Sequence, residues 1–161
     1  MPEFAKHNAA PDVREYFPDM LTREQSDARA AFNDAHIKRH GYGLWAVEIP
    51  GHADFAGAIG LMNVPYEAHF TPAVEIAWRL GGAYWGHGYA TEGARAALRF
   101  AFDTLGLEEV VSLTVPANRR SWAVMERLGM KRDEDFDCPD VPDGPFKRHV
   151  LYRIKRDDWK A

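Results

Sequence analysis

The spacing of apolar residues changes between residues 74 and 105, and this change predicts the central elements of the chain. Residues 74–80 are rich in β-branched and aromatic side chains, which is typical of a strand. After a glycine-rich segment, apolar residues recur at intervals of three and four, which predicts a helix with one apolar stripe. The stripe consists of Ala90, Ala94, Ala97, Leu98, Ala101, Phe102 and Leu105.

The segments on either side predict further helices and strands. Residues 22–25, Thr-Arg-Glu-Gln, have the form of a capping box and open a helix that ends at Gly41. Residues 4–8 are typical of the end of another helix, and residues 119–128 form a short one. The apolar face expected for the capped helix consists of Ala28, Ala31, Phe32, Ala35 and Ile37. Strand-like runs cover residues 44–49, 55–62, 110–115, 130–133 and 149–154.

The order of these elements predicts a mixed α/β (α+β) fold. Three successive strands, a helical crossover and then further strands give a mixed sheet with a parallel pair around the crossover helix. We find no internal repeat and no low-complexity segment, and the linkers are only loops. We therefore expect a single domain over residues 1–161.

Composition narrows the possible functions. The 161 residues are 46% hydrophobic and 27% charged, as in an ordinary globular protein, and the formal net charge of -4 argues against nucleic acid as a partner. The single cysteine, Cys138, excludes an intramolecular disulfide and suits a reducing cytosol. No apolar run approaches the roughly 18 residues of a membrane span, and residues 1–10 lack a signal peptide's pattern. We expect a cytoplasmic protein with no membrane partner.

Gly86 and Gly88 separate the central strand from the helix. Glycine lets the backbone come close to a ligand, and the helix that follows directs unpaired N–H groups and its positive dipole end at the same spot. This arrangement predicts a phosphate site. A dinucleotide-binding fingerprint fits less well, because Thr91 stands where the third glycine belongs and Glu108 and Glu109 stand at the start of the next strand.

Residues 85–90, Trp-Gly-His-Gly-Tyr-Ala, resemble the pyrophosphate loop of the GNAT superfamily of acyl-CoA-dependent N-acyltransferases, whose pattern is Arg/Gln-x-x-Gly-x-Gly/Ala. Gly88 and Ala90 match this pattern, and Trp85 departs from it at the first position. The longer run Tyr-Trp-Gly-x-Gly-Tyr-Ala-Thr-Glu resembles the ribosomal-protein N-terminal acetyltransferase-like branch. Glu75 before the loop and residues 118–121, Asn-Arg-Arg-Ser, after it stand in the family's order and spacing.

The resemblance implies a mostly antiparallel sheet, flanked by helices, whose central strands splay apart to admit the pantetheine arm of acetyl-CoA. It also implies an N-terminal strand that this sequence lacks, since the chain enters near the end of the first helix. An uncovered sheet edge invites pairing. We expect either a truncated start or coverage of that edge by a partner chain, such as a second copy in a homodimer.

Acetyl transfer to an amine requires an uncharged amine, and Glu75 is the candidate base. The superfamily often places a glutamate at this position of the central strand. We expect its neighbours Val74, Ile76 and Ala77 to desolvate the carboxylate and to raise its pKa. Alternatively, Glu75 is a structural carboxylate that pairs with an arginine in the sheet. Glu92 is the rival carboxylate, but its place in the first helical turn is typical of a group that complements the helix dipole.

The thioester carbonyl and the departing thiolate need their own partners. The resemblance implies that a main-chain N–H around Trp78, Arg79 and Leu80 holds the carbonyl oxygen. Many relatives protonate the thiolate with a tyrosine, whose position corresponds to Met125 here, and methionine cannot donate a proton. The branch carries a serine earlier on the same helix, at Ser121, which is the candidate acid; alternatively, Ser121 bonds only the backbone or phosphopantetheine.

Asn118 could bond the pantetheine amides, cap the helix that follows, or do both. The acetyl-CoA site implied by the resemblance consists of Trp78, Arg79, Leu80, Trp85, Gly86, His87, Gly88, Tyr89, Ala90, Thr91, Asn118 and Ser121. No histidine spacing predicts a metal site, and Cys138 has no neighbouring histidine that would make it a nucleophile.

The sequence therefore predicts an N-acetyltransferase that moves an acetyl group from acetyl-CoA to a primary amine by direct attack in a ternary complex. The acceptor would be a protein N-terminus or a small amine. A non-catalytic acyl-CoA-binding or regulatory module is the alternative.

Overall fold

The structure is a computed structural model that describes residues 2–160. Its helices are α1 (Pro2–Asn8), α2 (Pro11–Arg14), α3 (Arg23–His40), α4 (Tyr89–Arg99) and α5 (Arg119–Arg127). Its strands are β1 (Leu44–Ile49), β2 (Ala53–Asn63), β3 (Val74–Leu80), β4 (Glu109–Thr114), β5 (Lys131–Arg132), β6 (Phe136–Asp137) and β7 (Arg148–Lys155).

The strands form one mixed sheet in the order β1-β2-β3-β4-β7-β5, and β6 also pairs with β7. Every neighbouring pair is antiparallel except β3 and β4, which the crossover through α4 makes parallel. These two central strands share a single register pair, Glu75 with Val111, and then diverge. The predicted mixed sheet, mostly antiparallel with splayed central strands, is confirmed.

The apolar stripe of α4 packs against β2 and β3, as its periodicity predicts. Ala94, Ala97 and Leu98 are buried in the main core. Ala101 and Phe102 are buried too, on the π-helical turn that continues α4 at Phe100–Thr104. The small alanines let the helix lie close to the sheet.

The apolar face predicted for the capped helix is wrong, although the helix itself and its capping box are confirmed. Ala28, Ala31 and Ala35 are exposed, and Phe32 is 59% exposed. The helix α3 packs instead through polar groups with fixed partners. The Asn8 amide donates a hydrogen bond of 2.9 Å to the buried Ser26 hydroxyl. Hydrogen bonding, not apolar periodicity, therefore orients α3.

The strand β1 lies at the edge of the sheet, and within residues 2–160 no strand precedes α1. Asn33 on α3 covers the start of this edge. The Asn33 amide donates a hydrogen bond of 2.7 Å to the carbonyl of Leu44, and the Asn33 side-chain carbonyl accepts one of 2.9 Å from the N–H of Leu44. One side chain thus replaces a neighbouring strand at Leu44.

The C-terminal part differs from the prediction in detail. The strand expected at residues 130–133 shortens to β5, and β6 was not predicted from the sequence. Phe136 of β6 is buried in a second core cluster with Phe70, Val111, Cys138 and Leu151. Two residues are too short a segment for periodicity to reveal.

No helix within residues 2–160 combines the length and the apolar character that crossing a membrane requires.

Candidate active site

A cleft opens between β3 and β4 beyond the point where they diverge. The hydroxyl of the buried Ser112 donates a hydrogen bond of 3.0 Å to the carbonyl of Ile76. The main-chain groups of Ile76 therefore face β4. Main-chain groups alternate sides along a strand, so those of Trp78 and Leu80 face the cleft as well. The Leu80 carbonyl accepts 2.8 Å from the Trp85 indole N–H. The N–H of Trp78 is therefore directed into the cleft, as a carbonyl-binding donor must be.

The predicted phosphate loop adopts the backbone that its glycines allow. Gly86 and Gly88 have φ of 79° and 86°, in the left-handed region, and a Cβ at either position would meet open space. Positive φ, not crowding, therefore explains both glycines. Gly88 is the N-cap of α4 and provides no side-chain cap. The first N–H groups of α4, at Tyr89 and Ala90, lack intrahelical partners and can bind an anion.

At the entrance of the cleft, side chains at α2 and α5 contact the segment that contains the glycine loop. The Arg120 guanidinium stacks 4.2 Å from the centre of the Trp85 ring and forms an ion pair with Glu15. The Asp12 carboxylate accepts 2.6 Å from the N–H of Gly82, just before the loop. These contacts place the start of α5 beside the glycine loop. The glycine loop and the N-terminal end of α5 are therefore neighbours in the structure.

Asn118 caps α5, which was one of the two roles open from the sequence. Its carbonyl accepts 3.3 Å from the N–H of Ser121, and its amide donates 3.1 Å to the Thr114 hydroxyl. One amide hydrogen remains for a ligand. The Ser121 hydroxyl is partly exposed and has no hydrogen bond within residues 2–160. It is available to donate a proton.

Glu75 lies on the sheet face opposite α4, since Ile76 points into the α4 core and successive side chains alternate. Burial raises the pKa of Glu75 to about 7, and Arg79 partly offsets the rise. Glu75 as a whole residue is only half-buried. A carboxylate with a pKa near the working pH can act as a base.

Arg79 shares this face with Glu75 but forms no ion pair with it. Its guanidinium carbon lies 4.6 Å from the centre of the Phe17 ring, and that of Arg14 lies 4.1 Å from the same ring. Burial, together with the charges of Arg14 and Arg29, lowers the pKa of Arg79 to about 10. The expectation that Glu75 pairs directly with an arginine therefore has no support here.

Sequence reasoning missed the tyrosine beside Glu75. The Tyr66 hydroxyl is buried without a hydrogen-bond partner among residues 2–160. Burial and the nearby Cys138 and Glu75 raise its pKa. Tyr66 lies in the loop between β2 and β3, where no periodicity or motif marks it.

The remaining candidate residues follow the fold. His87 is exposed, and its ring centre lies 5.7 Å from that of Tyr89. Met125 is fully buried in the main core. His36 and His40, four residues apart, join a polar network with Tyr42 and Asn63. Within residues 2–160, no group of three or more His, Cys, Asp or Glu side chains is arranged to hold a metal ion.

Comparison with known proteins defines the class. Residues 1–131 match the family described as Acetyltransferase (GNAT) domain. The chain therefore belongs to the GNAT acetyltransferase family, which confirms the prediction from the sequence.

The chain is similar in sequence to two curated relatives and in structure to one solved acetyltransferase. The chain is 37% identical over 127 residues to FsC-acetyl coenzyme A-N(2)-transacetylase of Aspergillus fumigatus, covering 74% of this chain and 52% of that protein. It is 26% identical over 113 residues to [Ribosomal protein uS5]-alanine N-acetyltransferase of Escherichia coli, covering 70% and 54%. The chain thus spans about half the length of both. An acetyltransferase structure from Agrobacterium tumefaciens shares 27% identity and a TM-score of 0.73, covering 95% of this chain and 83% of that one.

Proposed function

We propose that this protein is an N-acetyltransferase that moves an acetyl group from acetyl-CoA to a primary amine by direct attack in a ternary complex. The cleft carries this proposal. Its wall directs the N–H of Trp78 inward, and it opens beside the uncapped start of α4. A thioester carbonyl and a pyrophosphate need these two kinds of donor, separated by an extended groove.

Each part of acetyl-CoA has candidate partners. The pyrophosphate would bind the N–H groups at the start of α4, with Gly86 and Gly88 shaping the loop. The pantetheine arm would lie along the exposed main chain of β3, where the strand lacks a neighbour. The carbonyl oxygen would accept a hydrogen bond from Trp78. Asn118, whose amide donates to Thr114 at the end of β4, and Ser121 would contact the cofactor near this end of the cleft.

Glu75 is proposed as the base. An α-amine with a pKa of about 7.7 to 8.0 is already partly neutral near pH 7, so a weak base suffices. The amine nitrogen forms a bond to the acetyl carbon, and its surplus proton passes to Glu75. The carbon–sulfur bond then breaks, and the thiolate takes a proton from the Ser121 hydroxyl, which regains one from solvent. Products are an N-acetyl amine and CoA.

The acceptor is a primary amine, either small or a protein N-terminus. The names of these two relatives describe an N(2)-acetyl transfer and an alanine N-acetyl transfer, which supports an amine as the acceptor. We further propose that residues 1–161 act as one domain in the cytosol, consistent with the single cysteine. A homodimer stays a prediction.

The second candidate is a non-catalytic acyl-CoA-binding module. One observation favours it: Met125 occupies the place of the usual acid and is fully buried, so no proton donor reaches the sulfur from that position.

The test combines binding with turnover. Calorimetric titration with acetyl-CoA, CoA and NAD is followed by a thiol-release assay with pooled primary amines and N-terminal peptides. Binding of acetyl-CoA with amine-dependent thiol release establishes the enzyme. Binding without release supports the second candidate. Absence of binding to either CoA species contradicts both.

A further inference from the structure

The face of β3 that carries Glu75 also carries an unusual positive charge. Arg79 is partly exposed, and among residues 2–160 its side chain has no hydrogen bond and no ion pair. A charged side chain that is even partly buried normally has a partner, because desolvation is costly. Among residues 2–160, Glu75 is the opposite charge that acts on Arg79. A partly buried arginine whose guanidinium has no partner in the protein is suited to binding a negatively charged ligand.

The charges around Arg79 do not neutralise it. Arg14 is occupied by Asp19, whose carbonyl accepts 2.8 Å and whose carboxylate lies 3.3 Å away. Arg29 on α3 is close enough to lower the pKa of both other arginines and has no partner of its own within residues 2–160. His7, the other titratable neighbour, has its pKa lowered to about 4 by burial, so it is neutral. Among the charged groups that act on Arg79, positive charge therefore exceeds negative charge.

The contact with Phe17 leaves the hydrogen-bond donors of Arg79 free. The guanidinium carbons of Arg79 and Arg14 both lie over the Phe17 ring, and a cation–π contact of this kind uses no N–H donor. The N–H donors of a guanidinium form a fork that matches a carboxylate. The ring therefore positions the guanidinium of Arg79 while its fork stays available to a ligand.

Arg79 and Glu75 lie on one strand and one face, four residues apart. A strand rises about 3.3 Å per residue, so their Cα atoms are about 13 Å apart. Both side chains are long, and their charges act on each other. A molecule with an amine and a carboxylate a few bonds apart can therefore place its nitrogen at Glu75 and its carboxylate at Arg79.

We propose that Arg79, supported by Phe17 and Arg29, binds a carboxylate of the acceptor, so that the preferred acceptors are amino carboxylates. This inference rests on the proposed acetyl transfer and names its substrate class. The Arg79 side chain is then a specificity determinant for the acceptor, whereas the prediction from the sequence places Arg79 in the acetyl-CoA site.

The test compares each amino acid with its own carboxamide, which keeps the amine and removes the negative charge. The panel contains the α-amino acids, β-alanine and 4-aminobutyrate, and kcat/KM is corrected for the neutral fraction of each amine. Amidation removes the charge-assisted hydrogen bonds of the carboxylate, so we expect kcat/KM to favour the best acid over its carboxamide by about 10- to 100-fold.

The Arg79→Gln variant should abolish this preference mainly through KM, and Arg79→Lys should keep part of it. Arg99→Gln, an exposed arginine on α4, is the charge-matched control and should behave as wild type.

Two further readouts keep the result decisive. Arg29→Gln lies at an exposed position and should weaken the preference several-fold even if Arg79→Gln folds poorly. Binding of N-acetyl amino acids to the CoA complex, measured by calorimetry, should be lost in Arg79→Gln while CoA affinity is retained. Equal use of acids and carboxamides, a preference that survives Arg79→Gln, or turnover only of amines without a carboxylate overturns this proposal and leaves acetyl transfer intact. Failure of every amine to release thiol contradicts acetyl transfer itself, and the product-binding experiment then decides the carboxylate site.

Discussion

Ser112 on β4 donates a hydrogen bond to the Ile76 carbonyl on β3 one residue beyond the last register pair of these strands. At the point where β3 and β4 separate, this side-chain hydrogen bond takes the place of a main-chain hydrogen bond between the two strands. The hydroxyl of Ser112, a residue that is 2% exposed, therefore helps to set the geometry of the cleft.

Removing this hydroxyl should weaken the protein and its cleft together. Ser112→Ala leaves the Ile76 carbonyl without its partner, so we expect a loss of about 1 to 2 kcal/mol in the free energy of unfolding. Urea denaturation measures this loss, and KM for acetyl-CoA should rise. Ser121→Ala is the matched control, because its hydroxyl has no hydrogen bond within residues 2–160. It should lower kcat without changing stability; the reverse pattern would contradict both assignments.

Gly88→Ala should reduce acetyl-CoA affinity by about tenfold or more. A Cβ at φ of 86° strains the backbone by roughly 1 to 2 kcal/mol and shifts the N–H groups that start α4. Gly41→Ala provides a control with the same kind of strain, since Gly41 has φ of 79°, ends α3, and also has open space at its Cβ. The two variants should lose similar stability, measured by thermal denaturation, but only Gly88→Ala should lose acetyl-CoA binding in calorimetry. Equal affinities would place the pyrophosphate elsewhere.

The rate should depend on pH through Glu75. Its pKa of about 7 means that the carboxylate is half protonated at neutral pH, and a base must be deprotonated. We expect kcat/KM to fall below pH 7 in the wild type. Glu75→Gln should lose about 100-fold in kcat/KM at pH 8 and should no longer show this acid limb. An unchanged limb in the variant would assign it to the acceptor amine instead.

The same carboxyl group should make stability decrease as pH rises. Its pKa is raised on folding, so between about pH 4.5 and 7 the folded state holds the proton more tightly than the unfolded state. The protein loses up to about 3 kcal/mol from this group across that window, and none below it. Glu75→Gln should remove this slope and be more stable than the wild type at pH 8. Glu48→Gln, at an exposed position of β1, should retain the slope in urea titrations.

The parts of the fold that follow from apolar periodicity could be predicted from the sequence. The stripe on α4 and the strand before it are both present, because burial against the sheet determines them. On α3 the same reasoning fails, since Ser26 and His36 face the protein and Phe32 faces solvent. Hydrogen bonds between residues far apart in sequence determine that orientation, and no local pattern encodes them.

In the candidate site, too, some features could be predicted from the sequence and others could not. The glycine loop and the cap at Asn118 are local features with recognisable spacing, so the sequence indicates both. The position of Arg79 over Phe17 and the influence of Glu75 on the pKa of Tyr66 involve residues from separate elements. Such contacts become visible only once the chain is folded.

The double hydrogen bond between Asn33 and Leu44 has a consequence for how this protein behaves at high concentration. It occupies both polar groups of Leu44, so the outward main-chain groups of β1 are limited to Ala46 and Glu48, and an irregularity in register follows Val47. Templated growth of cross-β aggregates needs a longer, uncharged run of free edge. The exposed charge of Glu48 interrupts that run, so the folded protein offers a poor seed for amyloid-like assembly.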